Sequence, residues 1–221
     1  MATSIKLPAL LCVALVSACS SAANYEPVAD IAKVADLKSS FGPEFKVTEV
    51  PVTGIDPKML AAQKMPEGMT FDPADCAKFA AGQTMPSDVK GNMAGLSAEG
   101  DGNRFVTIAM ETSAPIPLVA PGDNCDKVSF SSGAVRGTVE VVPVPQIAGV
   151  ATLGVHRILQ ATIDKVPQTG QIYSYRAQFG NYQVIVTANP LVAPDKPVAP
   201  VDSKRAVDLL TAAVAAIKRS R

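Results

Sequence analysis

The sequence predicts an α+β domain, a twisted antiparallel sheet of about six or seven strands packed by two or three helices. Three observations predict it. Between residues 91 and 188, apolar and polar residues alternate in short runs set apart by Gly-, Asn- and Asp-rich turns, which is the period-2 signature of strands. Three pairs of these runs are joined by loops of two to six residues, far shorter than the dozen or so a parallel crossover needs, so the sheet is read as antiparallel. Segments with helical spacing of apolar residues lie towards both ends of the chain and supply the cover for one face.

Taken in order, Ile31, Val34, Leu37 and Phe41 recur at helical spacing and predict a first helix from about Val28 to Ser39, stopped by Gly42-Pro43. Phe45 to Val50 alternates and reads as a strand ending at Pro51. Residues 51–70 hold Pro51, Gly54, Pro57, Pro66 and Gly68, and read as irregular with at most a short helical turn. A second helix opens at Phe71-Asp72-Pro73-Ala74-Asp75-Cys76. Asp72 is its expected N-cap, Pro73 its first residue, and Asp75 complements the positive end. Phe71 and Cys76 form an expected staple, which turns Cys76 inward beside Phe79 and Ala80. Gly82 ends the helix.

Met93 to Ala98 and Phe105 to Thr112 flank a hairpin loop at Glu99–Asn103. Val128 to Phe130 and Val135 to Val142 flank another at Ser131-Ser132-Gly133, and here Val135, Gly137, Val139 and Val141 share one face, opposite Arg136, Thr138 and Glu140. Leu153 to Ile163 is a further long strand. Ile172 to Phe179 and Tyr182 to Ala188 are joined through Gly180-Asn181, a two-residue turn of the primed type. The proline-rich stretch 189–201 is an extended connector. Asp202 or Ser203 then caps a terminal helix whose stripe is Ala206, Val207, Leu210, Ala213, Val214 and Ile217, with Lys218, Arg219 and Arg221 at its negative end.

The N-terminus is of a different kind. In MATSIKLPALLCVALVSACSS, Lys6 supplies a positive start, and Leu7 to Val16 is nearly all apolar but about half the length of a membrane-spanning helix. The run ends Val16-Ser17-Ala18-Cys19, which resembles the bacterial lipobox: an aliphatic residue, then two small ones, before the acceptor cysteine. The resemblance implies a signal peptide over residues 1–18, cleavage before Cys19, and acylation of Cys19, with diacylglycerol on its thiol and a further chain such as palmitate. Two or more chains give stable anchoring. Residues 19–27 then form a lipidated tether, and 28–221 a single extracytoplasmic domain held at the outer face of the membrane.

The charge is balanced, with 20 Lys+Arg against 20 Asp+Glu and no basic stripe, so nothing points to nucleic acid. A hydrophobic fraction of 48% is enough for a real core, and the absence of Trp leaves few aromatics for stacking. Beyond Cys19, and with Cys12 discarded in the signal, Cys76 and Cys125 form an isolated pair. In an oxidising compartment its simplest reading is a disulfide, against a redox pair, which is more usually C-x-x-C, or a metal site, which needs more ligands.

Candidate chemistry is sparse. The single histidine, His156, excludes H-E-x-x-H, and no phosphate-loop, dinucleotide or G-x-S-x-G pattern exists. Ser87-Asp88-Val89-Lys90 matches S-x-x-K without its partner motifs and reads as a solvated turn. A Cys76 thiol paired with His156 conflicts with the disulfide. Asp123-Asn124-Cys125-Asp126 lacks the ordering of a calcium loop, so no catalytic residue, metal or cofactor is expected. Two weaker flags remain as ligand-binding candidates. Arg157 falls on an otherwise apolar strand face with Leu153, Val155 and Leu159, so it must be paired, lie at an edge or line a pocket. Tyr173 and Tyr175 share a face with Ala177 and Phe179 and suit either a core or a groove for an amphiphile.

The lipobox at Cys19, Ile31-Ala32-Lys33-Val34, Phe41-Gly42-Pro43-Glu44-Phe45 and Phe71-Asp72-Pro73-Ala74-Asp75-Cys76 together resemble a family of mycobacterial and related actinobacterial lipoproteins with a domain of unknown function. The chain is also distantly similar to the extracellular sensor domain of certain mycobacterial serine/threonine kinases. Those domains pack helices on an antiparallel sheet, use disulfides and carry a ligand cleft. The resemblance implies an envelope location and transfers no catalytic residue. The expected function is a non-enzymatic binding module for an envelope lipid, glycan or protein; the alternative is a hydrolase of envelope esters or peptides.

Overall fold

Alternation in the sequence becomes strand wherever it occurs, and every strand joins one sheet. The computed structural model describes residues 28–55, 68–86, 88–133, 135–163, 166–192 and 197–218. The signal region, Cys19, the tether, Ser87 and most of the irregular 51–70 stretch lie outside the described residues. The strands are β1 (Lys46–Gly54), β2 (Thr70–Asp72), β3 (Gly91–Gly100), β4 (Asn103–Thr112), β5 (Lys127–Ser132), β6 (Val135–Val141), β7 (Ala151–Ile163), β8 (Val166–Phe179) and β9 (Tyr182–Pro190). All pairings are antiparallel, in the order β1-β3-β4-β9-β8-β7-β6-β5-β2. At the β3–β4 turn Asp101 and Gly102 both take positive φ, 48° and 72°, the mirror-image turn that suits strand twist.

Among the described residues the sheet has nine strands rather than six or seven. One unexpected strand is Thr70–Asp72, whose Asp-Pro reads as a helix start. Pairing with β5 (Thr70 with Ser131, Phe71 with Phe130, Asp72 with Ser129) draws Asp72 into the strand, and Pro73 rather than Asp72 precedes the helical turn. Tertiary pairing outweighs the local capping signal. Likewise β1 continues through Pro51 by a register shift between Val50 and Thr53, which an edge strand tolerates because its outer N–H groups face no neighbour.

The first helix spans Ile31–Ser40 and is a 3₁₀ helix. Its buried residues, Ile31, Val34 and Leu37, recur every three positions, the period of a 3₁₀ turn. Asp30 caps it, its Oδ1 accepting from the Ala32 N–H at 3.1 Å. Helix α1 (Ala77–Ala81) continues a 3₁₀ turn at Ala74–Cys76 and stops at Gly82, whose φ is 86°. Helix α2 (Ser203–Ile217) is capped by Asp202, which accepts from Arg205 N–H at 2.9 Å. It buries Ala206, Leu209, Leu210, Ala213, Val214 and Ile217. Each of the larger four contributes roughly 1.5–3 kcal/mol by leaving water.

These helices cover opposite faces of the sheet, not one face as the sequence suggests. Residues paired directly across antiparallel strands project to the same side. The first helix and α2 pack on Ala94, Leu96, Phe105, Tyr175, Ala177, Val184 and Val186, over the β1-to-β8 half of one face. The segment at Cys76–Ala80 packs on Val128, Phe130, Val139 and Val155, over the β2-to-β7 half of the other. The Cys76–Cys125 disulfide belongs to this second core and ties the start of α1 to the turn before β5. A nine-stranded sheet has more area than these helices can cover. The β2-to-β7 half of the first face stays uncovered, with Thr70, Asp72, Ser129, Ser131, Arg136 and Gln160 exposed.

Candidate binding face

The open half opposite Val139 is built from residues that alternation turns outward. On β6 these are Arg136, Thr138 and Glu140. Register extends them sideways into two rows: Thr70, Ser131, Arg136, Gln160 and Thr169, then Asp72, Ser129, Thr138, Ile158 and Gln171. Nine of these ten positions are polar, with Ile158 the exception, on a face where the other half carries Val184, Val186 and Ala188. Strands about 4.8 Å apart make each row about 19 Å long. An open cleft of about 670 Å³ lies over β2, β5, β6 and β7, lined by side chains of both rows.

The groups in the cleft are held by hydrogen bonds to uncharged acceptors. Arg136 Nε donates to Gln160 Oε1 at 2.9 Å, and Thr70 Oγ1 donates to the Ser131 carbonyl at 3.1 Å. At the boundary with the core, the His156 and Tyr173 rings stack with centroids 4.0 Å apart. His156 Nε2 lies 3.1 Å from Gln171 Oε1. Glu140, beside His156 in register, pairs with Lys127 at 3.7 Å. The result is a shallow lattice of hydroxyl, amide and guanidinium groups, with a planar ring stack along one border.

The sequence-flagged residues part company. Tyr173 and Tyr175 do share this face, yet Tyr175 is only 2% exposed and sits in the core under α2, hydrogen-bonded to the Ser203 side chain. Burial raises its phenol pKa, with the Ser203 bond working the other way. Only Tyr173 reaches the platform's border. Arg157 lies on the opposite face, where its Nη2 donates to the Ala80 carbonyl at 2.7 Å, at the C-terminal end of α1. Arginine there complements the negative helix end.

Sequence comparison matches residues 30–218 to the family described as a domain of unknown function, DUF5642. The chain belongs to this DUF5642 family. No curated protein matches it. The X-ray structure of an uncharacterized protein from Mycobacterium smegmatis, an Rv0999 ortholog, is 61% identical, with a TM-score of 0.82, covering 87% of this chain and 99% of that one. The resemblance to a mycobacterial family of unknown function therefore holds.

In this DUF5642 chain no group of three or more His, Cys, Asp or Glu could hold a metal ion among the described residues. No described helix is long and apolar enough to cross a membrane. The platform residues missed by sequence reading, Thr70, Asp72, Ser129, Gln160 and Gln171, become visible only when strands are aligned. Their signal is polarity at alternate positions of five strands. Single-strand alternation exposes it for Arg136, Thr138 and Glu140 alone.

Proposed function

We propose that this chain is a membrane-anchored envelope module, tethered by lipid on Cys19, that binds an extended glycan without chemistry on the open β2-to-β8 platform. The observation that carries the reading is the two-row polar lattice lying uncovered on a sheet whose adjoining half is a packed core. Sugars present hydroxyls at spacings of a few ångströms on both edges of each ring, and the lattice offers matching donors and acceptors. Rows of about 19 Å suit three or four linked rings running across the strands. The Tyr173–His156 stack offers a flat surface for a ring at one border. A cleft of about 670 Å³ is in the range of small-ligand sites, and its open form suits a surface-bound chain rather than an enclosed acyl tail.

The test is calorimetric titration of the purified protein with a panel of soluble cell-wall oligosaccharides. Binding to at least one, weakened tenfold or more by Thr138→Arg and by Gln160→Ala, is expected. Binding that both variants retain would place the ligand elsewhere and overturn the assignment.

A further inference from the structure

The face opposite the platform holds a second polar feature, independent of the first. Arg157 of β7 stands opposite Ile172, and Arg176 of β8 stands opposite Leu153, so both guanidinium groups rise from the same face of neighbouring strands. Both reach the same short stretch of chain. Arg157 Nη2 donates to the Ala80 carbonyl at 2.7 Å, and Arg176 Nη1 donates to Gln83 Oε1 at 2.9 Å. The Gln83 amide oxygen that Arg176 uses carries no formal charge. Gln83 Oε1 is shared as well, since Gln183 Nε2 donates to it at 3.0 Å.

Arg176 takes part in no ion pair among the described residues. A guanidinium carries five N–H donors, and among the described residues Gln83 is the only acceptor that Arg176 has. Burial lowers the pKa of both arginines, and the Arg157 charge lowers that of Arg176 further. Arg176 is half-buried, and a guanidinium with one neutral acceptor keeps N–H donors that an anion can take. Between the two arginines on β8 lies Ser174, paired in register with Thr187 of β9, so two hydroxyls share this face.

We propose that Arg176, with Arg157 and the Ser174 and Thr187 hydroxyls, forms a site for an oxoanion, a phosphate or carboxylate group. The planar forks of arginine match such oxygens in pairs, and hydroxyl donors complete the shell. The anion comes from one of two sources, a free ion or the headgroup of an amphiphile. For the second, Val106 and Ile108 continue the same face beyond Thr187 and Ile185 as half-buried apolar residues.

The experiment titrates the purified full chain with inorganic phosphate at constant ionic strength. Phosphorus NMR and thermal unfolding are the readouts, and water-soluble dihexanoyl phosphatidic acid is titrated in parallel. Saturable binding is expected, with a rise in Tm that chloride does not reproduce. Arg176→Gln should weaken it at least tenfold, and Lys204→Gln, on the exposed surface of α2, should leave it unchanged. Arg176→Lys keeps the charge without the fork and should weaken binding less than Arg176→Gln. Tighter, Arg176-dependent binding of the phosphatidic acid assigns the anion to a lipid headgroup; equal binding assigns it to a free ion. The wild-type chain binding neither probe overturns the proposal even if the variants fail to fold. So does binding that Arg176→Gln retains.

Discussion

Replacing Thr107 by valine should make this protein more stable. Thr107 lies in the middle of β4, paired with Leu96 on one side and Val186 on the other, and it is completely buried. Its Oγ1 has no hydrogen-bond partner among the described residues. A hydroxyl taken from water without a replacement bond costs about 1–3 kcal/mol. Valine has the same shape with a methyl group in that position, so the change relieves the cost without opening a cavity. The expected gain is about 1 kcal/mol or more, which for a domain of this size raises Tm by about 2–4 °C. Urea unfolding should show a higher midpoint with an unchanged slope, the mark of altered stability rather than altered compactness. Thr107→Ser supplies the control. It keeps the hydroxyl and loses a buried methyl, so it should destabilise by about 1 kcal/mol. If Thr107→Val is instead less stable than the parent by 0.5 kcal/mol or more (~10% of a typical margin), the hydroxyl is bonded in the native state and the reasoning fails.

Other consequences are equally direct. Removing the disulfide with Cys76→Ala and Cys125→Ala frees a loop with a separation of 49 residues, which in the chain-entropy model destabilises by about 4 kcal/mol. A denaturant-derived loss below about 1 kcal/mol would contradict that. The raised pKa of Tyr175 means that the folded state prefers the neutral phenol, so its contribution is complete below the unfolded value of about 10 and is lost as pH rises through the folded one. Tyr175→Phe should therefore flatten the alkaline limb of the stability curve, and an unchanged limb would assign it to other groups. Cys19→Ala should move the protein from the membrane fraction to the soluble or secreted one; retention in the membrane would end the lipoprotein reading.

Local signals in the sequence are reliable here where no distant strand competes with them. Asp101-Gly102 and Gly180-Asn181 make the turns their residues demand, and Asp202 caps α2 through its own side chain. Gly82 closes α1 with a positive φ. Asp72 fails as a cap for the opposite reason: Ser129, 57 positions away, claims it for a strand. The 3₁₀ form of Ile31–Ser40 was open to inspection, since Ile31, Val34 and Leu37 keep a strict period of three, but Phe41 at four pulls the pattern towards an ordinary helix. Arg157 is legible as a charge needing a partner, whereas Arg176 has polar neighbours Ser174 and Gln178 on its face and carries no such signal. Tyr175 looks the same in sequence whether it lines a groove or a core. Only the arrival of α2, 28 positions later at Ser203, decides it.

The arrangement of cover on this sheet connects the fold to both proposed sites. A sheet with helices on one face needs alternation of one sense along all its strands. Here the sense reverses between β9 and β6: Val184 and Val186 are buried under α2, while across β8 and β7 the apolar side becomes that of Val155 and Val139. The strands β7 and β8 lie at the reversal, and each carries both kinds of surface along its length. Tyr175 of β8 belongs to one core, and Arg176, its neighbour in sequence, faces the other. Polar residues accumulate where neither core needs the strand, which is why the platform sits on one face and the arginine pair on the other. The two sites are thus separated only by the thickness of the same strands. Shifting β8 by one residue relative to β9 would send Tyr175 to the arginine face and Arg176 into the core. Any substitution that disturbs the β8–β9 register should therefore weaken glycan and anion binding together. Thr138→Arg and Arg176→Gln, acting on single side chains, should each affect one alone.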